Sequence, residues 1–245
     1  MNHQPYDVVT DVGTDVAGLL NLLASSPGAG LDLPRLVSFA CRSMPVESSC
    51  GVTLIRKGRA PRTMVATDEV ARTVDALQHR TGEGPSLEAA KVPTLRPADD
   101  LLTEQRWPVF ARRCGAETGI RSILAVRLPL ANGDAAALSF YSRIPRAFGD
   151  LAAGLAALYA PLATLGVEQT LRAQDTEQLG AALTSSRLIG TAIGIIMERN
   201  LVTSEEAMVL LRRSSQHLNR KLRDIAAEVT ETGEIPAVPP ARASG

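Results

Sequence analysis

The chain has 245 residues, of which 45% are apolar and only 3% are aromatic. This length predicts one or two domains, whose cores must be filled mainly by aliphatic side chains. The 26 basic and 26 acidic residues cancel, which excludes a strongly basic chain, so any nucleic-acid binding must rest on a local cluster of charge.

Cysteine and histidine form no pattern typical of a metal site or a disulfide framework. Cys41, Cys50 and Cys114 are odd in number and far apart, which predicts small core residues or incidental thiols. The three histidines stand at no ligand spacing from a carboxylate or a thiol. These spacings predict no bound metal. The N-terminal segment lacks the basic start and apolar core of a signal peptide, so we expect a cytoplasmic protein.

Apolar periodicity predicts helices and hairpins along the first two thirds of the chain. The helices are expected over 15–24, 33–44, 68–78, 87–90 and 107–118. Paired β-rich runs predict two hairpins, formed by 51–56 with 62–67 and by 122–130 with 135–142. The second hairpin has Asn132-Gly133 at its turn, the strongest turn signal of the chain. Hairpins imply an antiparallel sheet, so this order predicts an α+β domain.

Two further features belong to this first part of the chain. Asp32 and Asp68 are candidate N-caps of the helices that follow them. The segment 92–95 is predicted as an edge strand, because Pro93 cannot donate a hydrogen bond to a neighbouring strand.

Two segments resemble the GAF domain, a small-molecule sensing fold. They are GEGPSLEAAKVPTLRPADD at 82–100, which is followed by Trp107, and the closing hairpin ILAVRLPLANGDAAALSFYS at 123–142. The resemblance covers roughly 15–170 and implies a sensor domain, although it leaves open whether a ligand binds and which one. Some GAF domains hold haem or a tetrapyrrole through His or Cys. Here Ser86 follows the GEGP loop and no histidine lies nearby, so we expect no cofactor.

A long helical pattern starts near residue 150 and includes a heptad of leucines. These are Leu155, Leu158, Leu162 and Leu165, and the repeat resumes at Leu179 after an interruption by polar residues. Such a repeat predicts a homodimer that forms through the helix around 151–197. The alternative is a terminal helix that packs on its own sheet. The uncharged stretch 151–167 is short for a bilayer and contains Pro161, so no membrane span is expected.

Three helices with sharp boundaries are predicted in the last quarter of the chain. The first runs through Arg199, and its apolar residues occupy one stripe, while Leu188 and Ile195 fall on the opposite side. Thr203 and Glu206 form a capping box that opens the second helix. Asn219 separates the second helix from the third, which ends at Thr232-Gly233.

Basic and amide side chains cluster around the joint between the second and third of these helices. The candidate binding residues are Arg212, Arg213, Ser215, Gln216, Asn219, Arg220, Lys221 and Arg223, together with Arg187 on the first helix. Between residues 176 and 236, seven Lys and Arg stand against eight Asp and Glu. The pattern alone therefore equally favours an ordinary solvated surface, with Arg220 or Arg223 paired to Asp224 or Glu228.

The segment SRLIGTAIGIIMERNLVTSEEAMVLLRRSSQHLNRKLRDIAAEV at 186–229 resembles the ANTAR domain, the RNA-binding module of the transcription antitermination regulators AmiR and NasR. Together with the upstream domain, the chain is similar to GAF–ANTAR regulators of actinobacterial type. The resemblance implies a dimer in which each module binds one of two RNA hairpins. Stabilised hairpins prevent a terminator stem from forming, so transcription continues.

These observations predict four segments along the chain. They are a disordered N-terminus (1–13), a GAF-like sensor domain with its connecting helix (14–170), an all-α three-helix ANTAR domain (171–236) and a disordered tail (237–245). One alternative function is a DNA-binding helix-turn-helix regulator, which the absence of a strongly basic recognition helix disfavours. The other is a protein-interaction module with a degenerate sensor. An enzyme is not expected, because no nucleophile–base pair, carboxylate pair or metal cluster is present.

Overall fold

The computed structural model describes residues 31–92, 97–131 and 133–236. The predicted helix over 15–24, most of the predicted edge strand at 92–95, Asn132 and both predicted disordered ends lie outside these residues. The chain divides into two compact units, which we call unit 1 (residues 1–171) and unit 2 (residues 172–245).

Unit 1 is built on a four-stranded antiparallel sheet. Its strands are β1 (Ser49–Ile55), β2 (Arg62–Ala66), β3 (Ser122–Pro129) and β4 (Ala135–Ser142), in the order β2-β1-β4-β3. Both predicted hairpins are confirmed, because β1 pairs with β2 and β3 pairs with β4. The central pair joins the two hairpins, with Val52 of β1 opposite Leu138 of β4.

The structure contains seven helices among the described residues. They are α1 (Leu33–Arg42), α2 (Glu69–Thr81), α3 (Pro85–Lys91), α4 (Pro108–Thr118), α5 (Asp150–Asn200), α6 (Ser204–Leu218) and α7 (Leu222–Thr232). Both predicted caps are confirmed, since the carboxylate of Asp32 accepts from Arg35 N and that of Asp68 from Ala71 N. The fold class expected from the sequence is therefore confirmed: an α+β domain on an antiparallel sheet, a long helix and a helical module.

Successive side chains of each strand point to opposite faces of the sheet, so apolar residues form a separate hydrophobic core on each face. Val52, Leu138 and Phe140 belong to the core that includes α1 and the first part of α5. Ile123 and Tyr141 point to the other face and pack with α2 and α4. Of the cysteines, Cys50 and Cys114 are buried, one in each core, and all three thiols are free.

The first part of α5 is a core helix of unit 1. It is long and apolar enough, by length and composition alone, to cross a membrane. However, Ala152, Ala156, Tyr159 and Val167 are buried with the sheet residues of the first core. This arrangement accounts for the uncharged stretch at 151–167 without a membrane, as the alternative of a terminal helix on its own sheet predicted.

Unit 2 is a small helical module formed by the end of α5 with α6 and α7. The capping box is confirmed, since Thr203 N donates to Glu206 Oε2 at 2.9 Å and Glu206 N donates to Thr203 Oγ1 at 3.3 Å. The buried residues of its core are Ala192, Ile196, Ala207, Leu211, Ile225, Ala226 and Val229.

The prediction that Leu188 and Ile195 face away from this core is wrong. Both pack partly buried against it, together with Ile189 and Ile193. The core residues of α5 lie only in its last part, and the upstream members of the predicted stripe are exposed. Leu179, for example, is 62% exposed. The apolar periodicity continues along α5, so it could not show which part of this helix packs against α6 and α7.

A polar network joins α2 and α3 to the sheet inside unit 1. Ser86 N donates to Gln78 Oε1 at 2.8 Å, Gln78 Nε2 donates to Ser86 Oγ at 2.9 Å, and Ser86 Oγ lies 2.8 Å from Ser139 Oγ. Gly84 has φ +135°, and a Cβ at this position would lie 2.5 Å from Gln78. The GEGP loop therefore closes directly over the protein's own side chains.

Asp75 of α2 is a fully buried carboxyl group surrounded by hydroxyl groups. Its oxygens accept hydrogen bonds from Thr63 Oγ1 at 2.9 Å and from the hydroxyl of Tyr141. Gly51 leaves room for this group, because a Cβ there would lie 3.0 Å from Asp75 Oδ2. Burial raises the pKa of Asp75 from 3.8 to about 6, although the hydroxyl donors act in the opposite direction.

We predict that Asp75 makes unit 1 less stable as the pH rises. Because its pKa is higher in the folded state than in the unfolded chain, stability from this group is complete below about pH 4 and is lost through pH 6. The loss approaches about 3 kcal/mol, since one pKa unit corresponds to about 1.4 kcal/mol. Urea unfolding of unit 1 between pH 4 and 7 measures this slope.

The variant Asp75→Asn should flatten that dependence, because its amide does not ionise. Asp99→Asn is the matched control, since Asp99 is exposed. An unchanged pH slope in Asp75→Asn would contradict the assignment.

Candidate nucleic-acid interface

The joint between α6 and α7 is a tight turn around a left-handed residue. Asn219 has φ 49° and ψ 40°, a conformation that asparagine tolerates better than most residues. Asn219 N donates to Gln216 O at 3.2 Å, and Arg220 N donates to Ser215 O at 3.1 Å. These bonds satisfy carbonyl groups at the end of α6 and fix the start of α7 close to it.

Ser215 fixes the same turn from its side chain. Its hydroxyl donates to Arg220 O at 2.6 Å, while its carbonyl accepts from Arg220 N. Both backbone polar groups of Arg220 are therefore bonded to one residue. The hydroxyl of Ser215, one of the candidate binding residues, is bonded to the turn in this structure.

Two arginines of the cluster are paired to carboxylates of α7. Arg220 Nη1 lies 2.6 Å from Glu228 Oε2, and Arg223 Nε lies 3.4 Å from Asp224 Oδ1. Each of these side chains is between about one third and one half exposed, so the pairs contribute little to stability. The pairings that the sequence offered as the ordinary surface alternative are both present.

The remaining cations of the cluster are exposed and form no ion pair with any residue in the described ranges. They are Arg187, Arg212, Arg213 and Lys221. Arg212, Arg213 and Gln216 share the exposed face of α6, opposite the buried Leu211 and Ser214. Guanidinium and amide groups on one face, followed by Asn219 and Lys221, form a continuous donor surface around the joint.

Arg187 is separate from this surface in the chain. It is exposed on α5, next to Leu188, the first residue of α5 that packs against the core of unit 2. Its side chain forms no hydrogen bond or ion pair with a described residue. The structure thus groups eight of the nine predicted residues at one joint and places the ninth on another helix of the same module.

Sequence reasoning missed Arg199, which fixes the far end of α7. Arg199 Nη1 donates to Gly233 O at 3.0 Å. The guanidinium packs so closely on Gly233 that a Cβ there would lie only 2.8 Å from the guanidinium carbon. Gly233 has φ +75° and ends α7. An arginine in the last turn of a helix, where carbonyl groups lack partners, was the available signal. This contact helps to hold the far end of α7 in place.

No group of three or more His, Cys, Asp or Glu in the described part of the chain is arranged to hold a metal ion.

Comparison with known proteins assigns this module to a family. The ANTAR domain family matches residues 177–229, which include the end of α5, all of α6 and most of α7. The resemblance seen in the sequence is confirmed for these residues. No curated protein matches the chain.

Several solved structures are similar to the chain at low identity. The GAF domain of a phosphoenolpyruvate-protein phosphotransferase from Acinetobacter is 11% identical, with 71% of this chain and 99% of that chain covered and a TM-score of 0.49. The GAF domain of such an enzyme from Coxiella burnetii is 12% identical, with 67% and 98% covered and a TM-score of 0.49. The nlh2 GAF domain of A. aeolicus is 13% identical, with 67% and 98% covered and a TM-score of 0.42.

Proposed function

We propose that this chain is a signal-responsive RNA-binding regulator that stabilises paired RNA hairpins and so prevents transcription termination. The observation that supports it most is the ANTAR match at 177–229, because ANTAR is an RNA-binding antitermination module. The proposal places the protein in the cytoplasm, with no catalytic activity, as a GAF–ANTAR regulator of the AmiR and NasR kind. The actinobacterial type remains a prediction from the sequence.

The donor surface suits a folded RNA with exposed loop bases. The deep groove of A-form RNA admits side chains poorly, so loops are the readable part of a hairpin. Arg212, Arg213 and Lys221 are free to contact phosphates. Gln216 and Asn219 offer exposed amides for base edges. Because acidic residues balance the basic ones in this module, one copy should bind weakly, and two linked copies on two hairpins gain by effective concentration.

We predict that Arg212→Ala combined with Lys221→Ala weakens RNA binding by about tenfold or more and flattens its salt dependence. Each lost phosphate contact should reduce the slope of log affinity against log salt by about 0.7 to 0.9. The measurement is a titration of tandem stem-loop RNA, selected on the wild-type chain from a library with randomised loops. The matched control is Arg112→Ala, at an exposed arginine of α4 that forms no ion pair with a described residue.

The same titration separates the alternatives. Duplex DNA that binds as tightly as stem-loop RNA at matched salt would favour the helix-turn-helix hypothesis. A wild-type chain that selects no RNA at all would overturn the proposed function and favour a protein-interaction module.

We also propose a homodimer that forms through α5. Residues at alternating spacings of four and three continue the leucine heptad along α5: Leu179, Leu183, Ser186, Gly190, Ile193 and Met197. All of them are exposed except Ile193, which packs partly against the core of unit 2. Leu179 and Leu183 are 62% and 64% exposed, and beyond the neighbouring backbone of α5 no described atom lies within 4 Å of the position of a Cβ on Gly190. In the same register, Leu151, Leu158 and Leu165 are also about half exposed. Leu155 and Leu162 of the predicted repeat pack in the first core instead, so the proposed interface is limited to the exposed members of the heptad, which fit a coiled coil.

The double variant Leu179→Glu, Leu183→Glu should convert the dimer to a monomer, because two buried carboxylates per helix cannot be accommodated in a coiled-coil interface. Sedimentation velocity measures the mass. Leu102→Glu replaces a leucine of unit 1 that is 68% exposed and serves as the control. A wild-type chain that is monomeric at micromolar concentration would contradict the proposed interface.

For the signal, we propose a small zwitterionic ligand of unit 1. A cavity of about 300 Å³ at the start of α2 is lined by residues that include Glu47, Asp68 and Arg143 together with the apolar Val70 and Ile120. No ion pair joins these charges to each other or to another described residue. Charges of both signs beside an apolar wall suit a molecule that has both an ammonium and a carboxylate group.

A panel of amino acids and related zwitterions should contain a compound that raises the melting temperature of the protein. Arg143→Ala should abolish that shift, because it removes the partner of the ligand's carboxylate, while Arg59→Ala at an exposed site should retain it. A panel without effect, or a shift that persists in Arg143→Ala, would refute this site.

A further inference from the structure

We propose that Glu228 competes with RNA phosphate for Arg220, so that the free protein holds this arginine in an ion pair that binding replaces. The inference rests on the proposed RNA-binding function and assigns a regulatory role within the same site. Glu228 would then limit the affinity of the module for polyanions in general.

The geometry of the pair supports this exchange. Arg220 Nη1 and Glu228 Oε2 are 2.6 Å apart, and both side chains are partly exposed, at 43% and 36%. The backbone of Arg220 is bonded on both sides to Ser215. The guanidinium can therefore leave the carboxylate by side-chain rotation alone, while the turn stays in place.

The chemistry of the two partners makes them interchangeable. Guanidinium donors bind carboxylate and phosphate oxygens with the same charge-assisted geometry. An exposed ion pair is only weakly stabilising, so an RNA phosphate near the joint can displace Glu228. Lys221 lies beside Arg220 and forms no ion pair with a described residue. Once Arg220 leaves Glu228, the phosphate can therefore contact two adjacent cations.

The fold does not depend on this ion pair. Helix α7 is already fixed by its buried residues Ile225, Ala226 and Val229 and by the contact of Arg199 with Gly233. Glu228 is therefore better explained as a residue that tunes the charge of the joint than as one that holds the helix.

The variant Glu228→Gln tests the inference on the full-length protein, with the stem-loop RNA selected on the wild-type chain. It should bind about threefold to fivefold more tightly at moderate salt, because Arg220 no longer has to leave a carboxylate. The slope of log affinity against log salt should stay close to that of the wild-type chain, because Arg220 contacts the phosphate in both complexes. Glu231→Gln makes the same charge change on the same helix, at an exposed glutamate that forms no ion pair with a described residue, and should have a smaller effect.

A second pair of variants shows whether the effect passes through Arg220. In an Arg220→Gln background, Glu228→Gln should give no more gain than Glu231→Gln. An equal gain in both backgrounds, an equal gain from Glu231→Gln, or weaker binding in Glu228→Gln would each overturn the inference while leaving RNA binding itself intact. A wild-type chain that binds no RNA would instead refute the proposed function.

Discussion

The turn that Ser215 closes around Arg220 is the constraint on which the donor surface depends. A left-handed Asn219 ends α6, and three hydrogen bonds from within six residues fix the direction in which α7 begins. Without that direction, the guanidinium groups of α6 and Lys221 would not share a surface. The far end of α7 is fixed independently by Arg199, so the joint is supported at both ends of the helix.

Charge at this joint is balanced by local pairing. Two arginines are occupied by carboxylates of α7, and the cations of α6 are left free. A neutral module with a small free cationic face binds polyanions weakly through each copy, and such a surface gains affinity mainly by linkage. The exposed leucines of α5 are therefore relevant to the proposed function, because a dimer would supply the second copy.

The interior of unit 1 combines a close-packed sheet with groups that are costly to bury. Asp75 lies among hydroxyl groups with a raised pKa, and Gln78 with Ser86 fills the space under the GEGP loop. Because the protein's own side chains satisfy one another there, the ligand proposed for unit 1 is assigned to the cavity beside Glu47, Asp68 and Arg143 instead.

The sequence by itself determined what depends on neighbours within a few residues: both hairpins, the caps at Asp32 and Asp68, the capping box of Thr203 with Glu206, and the breaks at Asn219 and Gly233. The candidate residues around the joint were also found from the sequence, because a short turn keeps them together. Only the tertiary structure decided that Leu188 and Ile195 face the core of unit 2 and that Asp75 is buried. Each of these depends on which distant helix or strand covers a given face, and periodicity within one segment contains no information about that partner.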